Sequence, residues 1–203
     1  IILHFDGVSW VTEESGTTAD LRGVWTESAG LAYAVGDGVV LRRMDGTWAP
    51  LMGAPVGLHT DIVGKTAVDF YVSSMDGRIH RYLEGAWTSS DVGVDAGIEI
   101  HALSAQADGA YWAVGSQGAV FQLIDGEWSP IATPATTSLY AVYAAASGAV
   151  YAVGARGTLV RFDGNGWSLT PPPENSGDLR AVWAFDNADD GAVAVGIQAV
   201  TLG

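Results

Sequence analysis

The sequence predicts an all-β fold, a five-bladed β-propeller of four-stranded antiparallel blades whose ring is closed by the N- and C-terminal strands. Three observations predict it: a repeat of about 40 residues, four strand-like runs in each repeat, and complementary half-repeats at the two ends of the 203-residue chain. The repeat is marked by an acidic-Gly turn followed by tryptophan. It occurs as Asp6-Gly7 to Trp10, Asp45-Gly46 to Trp48, Glu84-Gly85 to Trp87, Asp125-Gly126 to Trp128 and Asp163-Gly164 to Trp167, with tryptophan spacings of 38, 39, 41 and 39.

A second run precedes each turn: Tyr33-Ala34-Val35-Gly36, Tyr111-Trp112-Ala113-Val114-Gly115, Tyr151-Ala152-Val153-Gly154 and Val193-Ala194-Val195-Gly196, with Phe70-Tyr71-Val72-Ser73 as a degenerate copy. A third lies earlier: Leu21-Arg22-Gly23-Val24-Trp25, Leu139-Tyr140-Ala141-Val142-Tyr143 and Leu179-Arg180-Ala181-Val182-Trp183, with weaker copies at Thr60 to Val63 and Ile100 to Ser104. Val, Tyr, Trp and Leu between Gly and Asp-Gly turns favour antiparallel strands joined by hairpins. We label the four strands of a unit A to D, from the Leu-x-x-Val run to the tryptophan run. Glycines interrupt every window long enough for a helical repeat.

The units run over about 21–57, 58–97, 98–138, 139–178, and 179–203 together with 1–20, one domain over 1–203. The chain begins with strands C and D of a unit and finishes with strands A and B, so pairing the ends removes the exposed edges of an open array. Residues 1–4 and 200–203 fall on the same template positions of strand C, and the N-terminal segment is the expected occupant because it continues into its own turn.

Composition sets the function classes. Apolar residues are 48% and charged residues 16%, with 27 glycines and 8 tryptophans, the balance of an ordered, turn-rich chain. A net charge of -14, from 9 basic and 23 acidic side chains, disfavours nucleic acid and anionic lipid, and membrane insertion is not expected. No cysteine is present, so disulfides and thiolate chemistry are excluded. The first residue is isoleucine, which fits a processed or excerpted chain and favours a secreted or cell-envelope location.

The sequence Leu-x-Ala-Val-Trp/Tyr, Tyr-Ala-Val-Gly, Gly-x-Leu-x-Arg-x-Asp-Gly-x-x-Trp resembles the blades of bacterial BNR-like and sialidase-type propellers, and its acidic turns resemble a shortened Asp-box. That resemblance implies the propeller fold and an extracellular setting. The arginine cluster, tyrosine nucleophile and acidic base of the sialidases find no position-by-position match here, so no catalytic residue is carried over.

Acids repeated once per unit serve the turn, since Asp-Gly is a preferred hairpin pair, and the five repeated tryptophans are expected to pack between blades. Trp25, Trp112 and Trp183, not repeated in every unit, are the better candidates for the surface. The segment Asp186 to Gly191 lacks the spacing of a calcium loop and reads as a turn. His4, His59, His80 and His101 lack zinc spacing, so no metal and no cofactor are expected.

Binding sites on repeats lie where units diverge. The second residue of strand A diverges most: Arg22, Thr60, His101, Tyr140 and Arg180. On the innermost strand these five form a polar ring at one mouth of the channel, joined by the B to C hairpins with Asp37, Asp76, Gln117, Arg156 and Gln198. The expected function is non-enzymatic recognition or scaffolding of a protein or carbohydrate ligand. The alternative is a lectin or divergent glycosidase using the same mouth.

Overall fold

The computed structural model describes residues 1–28, 30–107, 109–172, 176–185 and 191–197. Four complete antiparallel sheets follow one another along the chain. The first holds β3 (Leu21–Ser28), β4 (Leu31–Gly36), β5 (Val39–Met44) and β6 (Thr47–Pro50). The second holds β7 (His59–Thr66), β8 (Asp69–Ser74), β9 (Arg78–Leu83) and β10 (Ala86–Asp91). The third comprises β11 (Ile100–Ala105), β12 (Tyr111–Gly115), β13 (Val120–Ile124) and β14 (Glu127–Pro130), and the fourth β15 (Leu139–Ala144), β16 (Val150–Gly154), β17 (Leu159–Phe162) and β18 (Trp167–Thr170). A two-stranded sheet stands at each end: β1 (Ile2–Phe5) with β2 (Trp10–Glu13), and β19 (Leu179–Ala184) with β20 (Ala192–Gly196).

Each blade is a meander A-B-C-D, as the repeat predicts, and only short 3₁₀ turns interrupt the strands. Among the described residues no strand pair joins β20 to β1, so the expected closure through the terminal strands is not formed there. The segments 186–190 and 198–203, which carry the acidic turn, Gln198 and the second candidate for strand C, lie outside the described residues. No helix among the described residues is long and apolar enough to cross a membrane, which says nothing about a β-barrel.

The hairpin chemistry sorts the five acidic turns into two kinds. Asp45, Glu84 and Asp125 have φ of 50°, 49° and 51°, and the glycines after them are also positive, which is the twist-matched two-residue turn of a tight hairpin. Asp6 and Asp163 instead head longer turns, where one carboxylate oxygen accepts from Val8 and Ser9 N–H, or from Asn165 and Gly166 N–H. Those hydrogen bonds hold both carboxyls below the usual range.

The core lies between blades. Tyr33, Val35 and Val40 of the first blade close on Ile62, Phe70 and Val72 of the second, and Tyr71 and Ile79 of the second close on Leu103, Tyr111 and Phe121 of the third. The repeated tryptophans reinforce these faces. Trp128 stands edge-on to Tyr71 of the preceding blade at 5.7 Å, and Trp167 edge-on to Trp112 at the same distance. Trp48 is tied differently: its Nε1 donates to Glu13 at 2.6 Å, and Arg43 donates to the same carboxylate, docking the N-terminal hairpin on the first blade. Trp10, in that hairpin, is exposed.

Trp112 corrects the surface expectation. It is fully buried, because it occupies the strand B position held by Tyr33, Tyr71 and Tyr151 elsewhere. Trp25 stacks on Tyr33 and meets Phe70 of the next blade, so it too is a packing residue, while Trp183 remains exposed. Half-buried Trp87 packs edge-on to Phe70 and beside Tyr82. Trp87→Ala is expected to destabilise the fold by about 3 kcal/mol, read as a lowered midpoint in denaturant melts.

Candidate binding site at the mouth of the channel

Strands A of successive blades lie side by side, β3 by β7, β7 by β11, β11 by β15 and β15 by β19, which makes them the inner wall of the array. The B to C hairpins open beside the starts of these strands. In every unit the first residue of that hairpin donates its N–H to the carbonyl just before strand A: Asp37 to Asp20, Met75 to Leu58, Ser116 to Glu99, Ala155 to Ser138 and Ile197 to Asp178. This close crossing explains the glycine of the Tyr-Ala-Val-Gly run. At Gly36, Gly115, Gly154 and Gly196 a Cβ would run into the carbonyl of Asp20, Glu99, Ser138 and Asp178 respectively.

The second blade departs from the pattern and compensates. Register aligns Tyr71-Val72-Ser73-Ser74 with Tyr33-Ala34-Val35-Gly36, one residue later than the degenerate copy read from sequence. Ser74 replaces the glycine and His59 replaces the leucine or isoleucine that starts the other A strands. Both are fully buried, with His59 Nδ1 2.8 Å from Ser74 Oγ and Nε2 2.9 Å from the Pro55 carbonyl. His80 packs edge-on to His59 at 5.6 Å and reaches Ser89 Oγ at 2.7 Å. Burial pushes both imidazoles down, His80 to about 4, and neighbouring His59 adds to the shift at His80.

Strand A places Thr60, His101, Tyr140 and Arg180 along one inner rim. The Thr60 hydroxyl donates to the Ile100 carbonyl of the next blade at 2.8 Å, and His101 Nδ1 donates to the Leu139 carbonyl of the blade after it at 2.8 Å. Tyr140 continues the series with its ring: His101 lies 5.5 Å from it on one side, and the Arg180 guanidinium sits 4.0 Å over it on the other. That stack is a cation–π contact joining the last two A strands. Thr60, His101 and Tyr140 therefore each link their own blade to the next, a role the sequence pattern did not reveal.

The basic groups at this rim are held by acids. Arg22 donates to both oxygens of Asp37 at 3.0 and 3.2 Å, His101 Nε2 lies 3.2 Å from Glu99, and Arg180 donates to Asp178 at 2.8 Å. Asp178 also accepts the backbone N–H of Arg156, which stands in the left-handed region at φ 57° in its B to C hairpin. Arg156 is thus placed beside Arg180. Arg22 belongs to β3 and Arg180 to β19, the first and last A strands, and nothing among the described residues brings them into contact. Gln198 is outside the described residues.

Sequence reasoning missed Asp61, the third residue of strand A in the second blade. It is half-buried between blades, its two oxygens accepting from Ile62 N–H at 2.8 Å and Leu103 N–H at 2.9 Å. Desolvation outweighs those bonds and pushes its carboxyl up to about 6. A raised folded pKa means that the charged form costs stability above about pH 6, a cost relieved as pH falls toward 4, with a ceiling of about 3 kcal/mol. His80 has the opposite sign, its stability present above pH 6.5 and lost toward 4. Asp61→Asn is expected to steepen the loss of stability between pH 6.5 and 4.5, read as melting temperature against pH.

No protein-family model matches the chain, and no curated protein matches it. Solved structures do. A streptogramin B lyase matches with a TM-score of 0.71 at 13% identity, covering 86% of this chain and 61% of that one. YCF48 bound to a D1 peptide matches at 0.67 and 18%, covering 88% and 63%, and YCF48 from Cyanidioschyzon merolae at 0.66 and 17%, covering 88% and 64%. This chain therefore spans less than two thirds of each, and what the likeness establishes is the propeller fold.

Proposed function

We propose that this chain is a non-enzymatic recognition or scaffold module of a secreted or cell-envelope protein, binding an extended polypeptide at the rim formed by the starts of its A strands. The observation that carries the reading is the alternation of nitrogen groups and carboxylates around that rim. Arg22 with Asp37, His101 with Glu99 and Arg180 with Asp178 present donor and acceptor side by side, which suits the alternating N–H and C=O groups of a peptide backbone. A purely anionic ligand would have to displace Asp37 or Asp178 from its arginine first. The stacked Tyr140 and Arg180 add a flat surface for an aromatic or apolar side chain. The likeness to YCF48 bound to a D1 peptide supports a peptide ligand at the level of fold.

A peptide array and a glycan array, run side by side on the intact chain, separate this reading from the lectin or glycosidase alternative. Peptides should bind and glycans should not, and a glycan-only result removes the peptide proposal. For a peptide so identified, the double variant Arg22→Ala, Arg180→Ala is expected to lose affinity by at least about tenfold, the scale of one or more charge-assisted hydrogen bonds. Its melting temperature should stay near that of the parent, because both side chains are exposed. Unchanged affinity in calorimetry places the ligand elsewhere, on an outer blade edge or the opposite face.

A further inference from the structure

The two ends of the array expose faces that every internal blade buries. In strand A the fourth residue faces the preceding blade: Ile62 is 4% exposed and Leu103 6%, but Val24 of the first complete blade is 71% exposed. In strand B the residue aligned with Tyr33 faces the following blade: Tyr33 and Trp112 are each 1% exposed, but Val193 is 53%. Val195 and Trp183 beside it are exposed as well. One end thus presents the receiving side of a blade interface and the other the inserting side.

The N-terminal face is also a groove. About 530 Å³ lies between Leu3 and Phe5 of β1 and Val24 and Thr26 of β3, where strands A and B of that blade belong. The β19–β20 hairpin has that chemistry but packs on the fourth blade instead, through Val182 and Ala184 against Tyr151. The arc explains the separation. Scaled by the shares of the two chains that superpose, the propeller chains this arc matches are as long as about seven blades of this size, within the usual four to eight.

From these two observations we infer that the end faces are covered by about two further four-stranded blades of the same repeat type, continuous with β20 as every other strand B of the molecule continues into its own blade. The first of them completes the β19–β20 sheet, and the last supplies the A and B strands that fill the groove beside β1. Five blades closing on themselves and end-to-end pairing with a second copy are the competing occupants.

The absence of cysteine makes disulfide trapping clean. By the register that pairs Ala34 with Leu41, whose place in the N-terminal hairpin is held by Leu3, ring closure within this chain would set Ala194 opposite Leu3, at a separation a disulfide can span. In the Leu3→Cys, Ala194→Cys variant under mild oxidation, both thiols are expected to stay free. An intrachain disulfide would establish five-bladed closure, and a disulfide-linked dimer would establish pairing with a second copy; either overturns the inference. A second variant replaces residues 197–203 with a copy of residues 37–115, which runs C-D-A-B-C-D-A-B. It is expected to melt on the order of 10 °C higher and to form an intrachain disulfide between Leu3→Cys and the copied Ala113→Cys. An extended chain showing neither effect also overturns it.

Discussion

Trp112→Ala is expected to lower the unfolding free energy by about 3–5 kcal/mol, the range for large-to-small changes at a buried aromatic. Trp112 is 1% exposed and lies at the interface of the third and fourth blades, against Trp167 at 5.7 Å and Phe162 at 5.2 Å. The cavity cannot collapse by moving one side chain, because both walls are strands held in four-stranded sheets. Trp112→Tyr places at this position the residue that three other blades carry there, so it should recover part of the loss. Equilibrium urea melts of the parent and the two variants check both statements. Equal midpoints for parent and alanine variant would mean that the blade interfaces do not hold the molecule together.

Gly154→Ala is expected to be nearly as damaging through a different mechanism. Its backbone is extended, so no left-handed conformation is at stake, but an added Cβ runs into the Ser138 carbonyl at the crossing of the hairpin over strand A. Relief requires breaking the Ala155 N–H to Ser138 C=O hydrogen bond and moving the start of β15. Overpacking of this kind costs about 1–3 kcal/mol or more. It also displaces Arg156 and Tyr140, so ligand binding should fall with stability. Ala152→Gly, two residues earlier in the same strand, separates the two effects: it should cost stability through backbone freedom and a small cavity while leaving the rim in place.

Much of this architecture is legible in the sequence because each blade repeats the same physical problem. The Asp-Gly turns, the Tyr-Ala-Val-Gly run and the position of Arg22, Thr60, His101, Tyr140 and Arg180 at the starts of the A strands all follow from the template. Residues that solve a problem once are harder to read. His59 and Ser74 replace an apolar residue and a glycine together, and neither substitution is intelligible without the other. Asp61 sits where other units carry glycine or alanine, and only the Leu103 N–H of the next blade shows why a carboxylate is held there. Trp112 could have been placed: aligning Ala113-Val114-Gly115 with Ala34-Val35-Gly36 puts it on Tyr33. The inter-blade bonds of Thr60 and His101 and the Tyr140–Arg180 stack depend on how far successive A strands are offset, which spacing along the chain does not report.

We propose the inner rim at the starts of the A strands as the recognition surface. Backbone and side-chain chemical-shift mapping of the intact chain, titrated with the strongest peptide from the array, tests it most directly. The predicted result is that the largest perturbations fall on Thr60, His101, Tyr140 and Arg180 and on the neighbouring hairpins at Asp37 and Arg156. Perturbations confined to the outer D strands, β6, β10, β14 and β18, would contradict it.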